Sequence, residues 1–142
     1  MIEIKRFGFD NKELLKISNS IRTKVFVEEQ HVDPELEYEN EEQGKFYLLY
    51  SDGNPIATAR WRETEKGIKL ERFAMLKEFR NQGLGSELLK AVLNDVQKLD
   101  KKIYLHSQLK AVSYYERAGF KKVGEKFTEA GIEHYLMELN QR

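Results

Sequence analysis

The sequence predicts a single α/β domain over residues 1–142, with helices on both faces of a mixed, mostly antiparallel sheet of about seven strands. Two observations carry this prediction. Three strand-like segments separated by short turns occupy the middle of the chain, and amphipathic helix patterns lie on either side of them. The 142 residues can bury one core, and 40% hydrophobic with 34% charged residues is an ordinary balance for a soluble protein.

The first strand and the first helix are predicted at the amino end. Ile2–Phe9 has the alternation of a strand. Asp10 resembles a helix N-cap, because Glu13 follows at the spacing of a capping box. The predicted helix runs to about Val27, and its apolar face contains Leu14, Ile17, Ile21 and Val25.

A meander of three antiparallel strands is predicted next. Lys45–Ser51 and Pro55–Glu63 flank Asp52-Gly53-Asn54, which is a hairpin pattern. Glu65-Lys66-Gly67 offers a second tight turn into a strand at Ile68–Leu76.

The remaining elements alternate between helix and strand before a closing hairpin. A helix stripe recurs at Leu84, Leu88, Leu89, Val92 and Val96. Gly119 is placed to end a later helix. The other predicted elements are a strand at Lys102–His106, a helix at Lys110–Ala118, and hairpin strands at Phe120–Phe127 and Ile132–Leu139.

Composition excludes several classes of protein. The 24 basic and 24 acidic residues balance, which argues against a general nucleic-acid binder. No apolar run approaches the roughly 18 residues that cross a bilayer, so no membrane partner is expected. The chain has no cysteine, which excludes disulfides, zinc–thiolate sites and a cysteine nucleophile. We therefore expect a cytoplasmic protein, since the first residues also lack the pattern of a signal peptide.

Acidic residues are concentrated in one segment. Eight of the fifteen residues from Glu28 to Glu42 are acidic, and this segment contains Pro34. The pattern fits a solvated loop or a single short turn, and it equally fits a wall that attracts a cationic substrate.

The loop Arg80-Asn81-Gln82-Gly83-Leu84-Gly85-Ser86 joins a predicted strand to a predicted helix. A glycine turn at a helix start leaves backbone N–H groups free for an anion, and Arg80 adds a full charge. A P-loop would need Lys after Gly85, and a dinucleotide fingerprint would need glycine instead of Leu88. By itself, the turn also fits a helix that simply begins with glycine.

Further residues make the pattern more specific. Arg80-x-x-Gly83-x-Gly85 resembles the Gln/Arg-x-x-Gly-x-Gly/Ala signature of the GCN5-related N-acetyltransferase (GNAT) family. The segment from Ala111 to Phe120 resembles that family's Ala-x-x-Phe/Tyr-Tyr-x-x-x-Gly-Phe segment. Residues 22–30 look like the first-helix segment of its ElaA/YjcF-like branch. The resemblance covers essentially the whole chain.

The resemblance implies acetyl-coenzyme A as the co-substrate and no metal. Backbone N–H groups of residues 82–86 would hold its pyrophosphate, and the pantetheine arm would add like a strand beside Phe73 and Met75. The predicted cofactor-binding residues are Phe73, Ala74, Met75, Arg80, Asn81, Gln82, Gly83, Leu84, Gly85, Ser86, Gln108 and Tyr114.

For catalysis, the resemblance places Tyr115 as the acid that protonates the leaving thiolate. Glu71, two positions before Phe73 on the same predicted strand face, is the expected base. Glu71 could instead pair with an arginine (Arg60, Arg62 or Arg72), and the competing bases are Glu28, Glu29 and His106. Without a cysteine, direct transfer in a ternary complex is the expected mechanism.

The acceptor is expected to be a small, cationic primary amine, because the first helix and the acidic segment would form one wall of its site. The candidate acceptor-binding residues are Arg22, Phe26, Glu28, Glu29 and His106. Two alternatives stay open: acetylation of a protein or peptide amine, and a non-catalytic acyl-coenzyme A sensor. An edge strand of the closing hairpin could also pair in a homodimer.

Overall fold

A computed structural model describes residues 1–34 and 39–140. One seven-stranded sheet organises this part of the chain, with the spatial order β1-β2-β3-β4-β5-β7-β6. Every neighbouring pair is antiparallel except β4 and β5, which are parallel. The strands are β1 Ile2–Gly8, β2 Lys45–Ser51, β3 Asn54–Thr64, β4 Gly67–Met75, β5 Ile103–Gln108, β6 Phe120–Glu129 and β7 Ile132–Leu139. The predicted mixed sheet is therefore confirmed.

In the described part of the chain, three α-helices cover the two faces of this sheet, as predicted. They are α1 Lys12–Arg22, α2 Leu84–Val96 and α3 Val112–Arg117. One core cluster joins Ile21 on α1 to Leu48 and Ala74 on the sheet. On the opposite face, α2 packs on the same strands through the residues Leu88, Leu89, Val92 and Val96. No helix in the described part of the chain is long and apolar enough to cross a membrane.

The start and end of the first helix differ from the prediction. Asn11, rather than Asp10, is the N-cap, because its side-chain oxygen accepts a hydrogen bond from the Leu14 N–H at 3.2 Å. The α-helix then ends at Arg22 and continues as a π-helical stretch, Thr23–Glu29. Such wider turns are frequently found at functional sites. Part of the acidic segment, residues 35–38, lies outside the described residues.

Other boundaries move by only a few residues. The β2–β3 turn consists of Asp52 and Gly53 alone, both with positive φ, as a two-residue hairpin requires. Strand β5 extends to Gln108. Helix α3 begins later than predicted, because Leu109–Ala111 form a 3₁₀ turn.

The parallel neighbours β4 and β5 separate after a short paired stretch. Their pairing covers only residues 68–70 of β4 and 103–105 of β5. Immediately beyond it, β4 contains a bulge: Thr58 pairs with Ala74 and Arg60 with Glu71, so two β4 residues oppose Ala59. Arg72, one of those two, has φ of 59°. A bulge bends its strand, and this one directs β4 away from β5.

The bulge also changes which face each later β4 side chain occupies. Leu70 belongs to the core beneath α2, and so do Phe73 and Met75, three and five positions later. Glu71 instead meets Arg60 on the α1 face. The prediction that Glu71 and Phe73 share a face is therefore wrong, because it assumes a regular strand with a period of two.

The outer edge of the sheet is strand β6. Its pairing with β7 is irregular between Val123 and Phe127, and Gly124 has positive φ. The exposed positions Lys121, Lys122 and Lys126 line this strand. Lysines and bulges are features that discourage edge pairing. A homodimer through this edge stays a prediction, and these features weigh against it.

Gly67, the first residue of β4, is expected to be essential for stability. Its φ is +131°, and a Cβ atom there would lie 2.4 Å from the Lys102 carbonyl oxygen, which accepts the Ile68 N–H. Gly67→Ala should lower the free energy of unfolding by about 3–5 kcal/mol. Gly53→Ala has positive φ but open space, so it should cost only about 1–2 kcal/mol. Urea denaturation of the two variants measures the difference, and equal losses would contradict the steric argument.

Candidate active site

A cavity of about 860 Å³ opens where β4 and β5 separate. Its walls come from the end of β4, the end of β5, the glycine loop, α3 and the β6–β7 turn. Of the predicted cofactor-binding residues, those that line it are Phe73, Ala74, Met75, Arg80, Asn81, Gly83, Gly85, Ser86, Gln108 and Tyr114. Gln82 and Leu84 are absent from this lining, and both belong to the same loop and helix start.

The glycine loop forms one end of the cavity. Asn81 and Gly83 both have left-handed backbone conformations, with φ of 66° and 79°. Gly83 is the N-cap of α2, and no side chain caps the helix. A Cβ atom at Gly83 would meet nothing within 4 Å, so the space in front of the helix start is open. The first N–H groups of α2 are thus available to an anion.

Arg80 binds protein groups in this structure. Its Nε donates to the Met75 carbonyl at 2.9 Å, and its two terminal nitrogens reach the Glu29 carboxylate at 3.1 and 2.8 Å. These hydrogen bonds lower the pKa of Glu29. Glu29, predicted to face the acceptor, therefore fixes the arginine beside the glycine loop instead.

The free edge of β4 faces the cavity. Leu76 donates its N–H to the Ile56 carbonyl of β3, at 2.9 Å. Because main-chain groups alternate in direction along a strand, those of Met75 and Phe73 point toward the opening. Arg80 occupies the Met75 carbonyl, which leaves the Met75 N–H and both groups of Phe73 for a ligand.

Tyr115 lies deep in the same cavity, against Phe73 at a ring-centroid distance of 6.4 Å. Burial raises the pKa of its phenol, so the group keeps its proton at physiological pH. The Tyr115 hydroxyl makes no hydrogen bond to a described residue. Among the described residues, the only fully buried side-chain nitrogen or oxygen without a hydrogen bond is Arg60 Nε, so the Tyr115 hydroxyl is accessible from the cavity. Tyr114, beside it, lies 3.5 Å from a Cβ position at Gly85.

Glu71 is the centre of a cluster of cations on the α1 face. Its Oε1 accepts from Arg60 at 2.9 Å and Arg62 at 2.5 Å, and its Oε2 lies 3.7 Å from Lys69 and 3.9 Å from Arg72. Burial raises the pKa of Glu71, but the four cations together lower it below its ordinary value. The alternative that Glu71 pairs with arginines is confirmed. A carboxylate stabilised in this way is a weak proton acceptor, which disfavours its predicted role as the base.

His106 lines the cavity on the same face of the sheet. Its Nδ1 is 2.9 Å from Glu129 Oε1, and this bond lowers the pKa of Glu129 to about 2. The other Glu129 oxygen lies 3.9 Å from His134 Nε2. Glu129 and His134 also line the cavity, and the sequence analysis missed both. The turn at residues 129–131 was recognisable, but no pattern connected it to a histidine 23 residues earlier.

The remaining candidate acceptor residues have different positions. Phe26 lines the cavity, and its contact with an acceptor stays a prediction. Arg22 does not: it is only 1% exposed, and its guanidinium binds Asn19 and Glu41. Glu28 is exposed and is not part of the cavity lining. The expected contacts of Arg22 and Glu28 with an acceptor are therefore not supported by their positions.

Two separated parallel strands, a glycine loop at a helix start and a half-buried tyrosine are the features that the resemblance to acyl-coenzyme A-dependent acyltransferases implies. Comparison with known proteins agrees with this class. The family model described as "Acetyltransferase (GNAT) domain" matches residues 6–141. The chain belongs to the GNAT acetyltransferase family, in the ElaA/YjcF-like branch.

Individual relatives cover nearly the whole chain. The uncharacterized N-acetyltransferase YjcF of Bacillus subtilis is 34% identical over 130 residues, 89% of this chain and 93% of that protein. An acyl-CoA N-acyltransferase from Pseudomonas aeruginosa superposes with a TM-score of 0.87 at 26% identity, covering 99% and 100% of the two chains. Escherichia coli ElaA has the same TM-score at 23% identity, covering 99% and 100%. A GNAT acetyltransferase from Elizabethkingia anophelis with acetyl-CoA bound has a TM-score of 0.71 at 20% identity, covering 96% and 94%.

Glu71→Gln should destabilise the fold in a pH-dependent way. Removing the charge leaves buried cations without their shared partner, at a cost of about 3–5 kcal/mol. Because folding lowers the Glu71 pKa, its contribution is complete above the ordinary value of 4.5 and is lost as pH falls through the folded pKa. As pH falls from neutral to acidic, the free energy of unfolding should therefore decrease less in Glu71→Gln than in the wild type.

Urea denaturation at several pH values checks this prediction. The matched control is Glu133→Gln, which removes an exposed ion pair with Lys126 and should change stability by less than about 1 kcal/mol. Parallel pH profiles for the wild type and Glu71→Gln would show that Glu71 does not carry the effect.

Proposed function

We propose that this protein transfers the acetyl group of acetyl-coenzyme A to a primary amine of a small molecule, by direct attack in a ternary complex. The observation that carries the proposal is the separation of β4 and β5 directly above a helix start that is open to an anion. The opening accepts an extended arm, and the helix start accepts a phosphate at the end of that arm.

The donor would be held along the glycine loop and β4. Its pyrophosphate would lie on the first N–H groups of α2, where the helix dipole favours negative charge. Arg80 is adjacent, and it would exchange part of its contact with Glu29 for the phosphates. The pantetheine amides would pair with the free main-chain groups of Phe73 and Met75.

Acetyl transfer requires the amine nitrogen to form a bond to the thioester carbon as the carbon–sulfur bond breaks. The nitrogen loses a proton, and the departing thiolate gains one. Tyr115 is suited to supply the second proton, because its phenol is protonated and it packs against Phe73, beside the proposed path of the arm. The chain has no cysteine to form an acetyl-cysteine intermediate, which favours direct attack by the acceptor.

The cavity lining restricts the proposed acceptor further. The sequence suggests a cationic amine such as a polyamine, an amino sugar or a lysine-like group. Of the acidic segment's described residues, Glu39 lines the cavity, whereas Glu29 and Glu41 bind arginines. Among the described lining residues the basic side chains outnumber the acidic ones, which are Glu39, Glu71 and Glu129; the basic ones are Arg62, Lys69, Arg72, Arg80, Lys110 and Arg117. These cations favour an acceptor that carries a carboxylate as well as its amine. A lysine-like acceptor has both the amine and the carboxylate, whereas a polyamine has no carboxylate.

An acceptor screen with acetyl-coenzyme A tests the proposal. Lysine, lysinamide and cadaverine form a matched series, because they share the amine and differ in the carboxylate. Release of thiol reports turnover, and a chain without cysteine adds no background to it. We expect lysine-like acceptors to have the highest kcat/KM. Preference for cadaverine would overturn the acceptor class alone, and turnover with peptide amines only would favour a protein acetyltransferase.

Tyr115→Phe distinguishes an enzyme from a non-catalytic sensor. The variant should bind coenzyme A normally by calorimetry and should lose about 10²–10⁴ in kcat, because it lacks the proton donor. Tyr135→Phe is the matched control, since Tyr135 does not line the cavity and should retain full activity. An unchanged rate in Tyr115→Phe would remove this residue from the mechanism. Coenzyme A binding without turnover for any amine would favour the sensor.

A further inference from the structure

We propose that His106 is the general base that takes the proton from the attacking amine, and that Glu129 is the positioning residue that orients its ring. This inference rests on the proposed acyl transfer. It concerns a histidine of β5 and a glutamate at the β6–β7 turn that meet only in the folded protein.

The sequence offered four candidate bases, and their positions separate them. Glu28 does not line the cavity, and Glu29 is held by Arg80. Glu71 lines the cavity but is 5% exposed and is surrounded by four cations that stabilise its charged form. His106 lines the cavity, and 23% of its side chain is exposed.

Glu129 fixes which nitrogen of His106 can act. A carboxylate accepts hydrogen bonds, so Nδ1 must be the donor in the 2.9 Å contact with Glu129. In the neutral imidazole, the other nitrogen, Nε2, is then an acceptor with its lone pair free. Among the described residues none bonds to Nε2, and His106 lines the cavity with 23% of its side chain exposed, so this nitrogen is accessible to a ligand there.

A second histidine lies near Glu129. The Nδ1 of His134 donates to the Ile132 carbonyl at 2.8 Å, and its Nε2 lies 3.9 Å from the Glu129 carboxylate, beyond hydrogen-bond distance. Phe127 packs between the two imidazoles, at 5.0 Å from His106 and 5.9 Å from His134. Within the described residues, no group of three or more histidine and acidic side chains is arranged to hold a metal ion.

The proposed base and acid lie on opposite faces of the sheet. Leu105 packs in the core that Tyr115 joins, and His106, the next residue along β5, points to the other face. Both residues lie where β4 and β5 separate. An acyl group held between the strands would therefore have the acceptor and His106 on one side and Tyr115 on the other.

The proton transfers then balance. The amine nitrogen forms the bond to the carbonyl carbon, and its N–H proton goes to His106 Nε2. The carbon–sulfur bond breaks, and the sulfur takes the Tyr115 proton. The imidazolium and the phenolate return to their neutral forms by proton exchange through water, so no further reactant is needed.

Several ionisable groups surround His106. Glu129 and His134 face it from the hairpin, Tyr104 from its own strand at a ring distance of 6.1 Å, and Lys69 acts on Glu129 from β4. Glu129 makes the shortest of these contacts, 2.9 Å from Nδ1. We expect Glu129→Gln to lower kcat more than it raises KM and to leave coenzyme A affinity unchanged, because a neutral amide holds the Nδ1–H less firmly than a carboxylate does.

The test compares His106→Asn with His31→Asn. His31 is exposed, does not line the cavity and has φ of 60°, a conformation that asparagine adopts readily, so this control should retain full activity. His106→Asn should lose about 10²–10⁴ in kcat/KM and lose the acid limb of the profile. Coenzyme A affinity and the urea midpoint of both variants should match the wild type.

Rescue distinguishes a base from a structural residue. Imidazole added to His106→Ala should restore turnover in proportion to its unprotonated fraction, which a packing role would not produce. If Glu129→Gln cannot be folded, His106→Ala with imidazole still decides the role of His106. Wild-type turnover with no effect of His106 substitution, or with no rescue, overturns this inference and leaves the acyl transfer standing. An absence of turnover with every amine overturns the proposed function itself.

Discussion

The active-site architecture depends on the point at which two adjacent parallel strands stop pairing. The pairing of β4 with β5 ends at Leu70 and Leu105, and a bulge at Arg72 bends β4 away. The main-chain groups beyond this point line the cavity, where a ligand with amides of its own can bind them. The opening is accordingly a property of the backbone, and the side chains around it adapt to a shape already set.

The cluster around Glu71 stabilises this opening from one side. Its carboxylate joins cations from β3 and β4, and Glu41 joins Arg60 to Arg22 of α1. Replacing such a network with apolar residues is often neutral for stability, whereas breaking it is expensive. The main contribution of the network is therefore to hold α1, β3 and β4 in one arrangement, and its net contribution to the free energy of unfolding is small. It also removes Glu71 from the set of effective bases, since a carboxylate that serves four cations has little affinity left for a proton.

The same bulge separates the two chemical roles in space. By adding one residue to β4, it places Phe73 and Met75 on the face that carries Tyr115 and leaves Glu71 on the face of His106. In the proposed reaction, donor and acid would belong to the α2 side, and acceptor and base to the α1 side. This arrangement would keep the base beside the attacking amine and the acid beside the departing sulfur.

The sequence by itself determined the order of elements, the glycine loop and the position of Tyr115, because hydrophobic periodicity, turn chemistry and short motifs are local properties of the chain. Its errors at Asp10 and at the end of the first helix are local as well, since Asn11 competes for the cap and the helix widens to a π form. Only the tertiary structure decided that Glu71 leaves the face of Phe73, that Arg22 is buried, and that Glu129 meets His106. A bulge shifts every later side chain to the other face, and a partner 23 residues away is chosen by strand register, which no local pattern encodes.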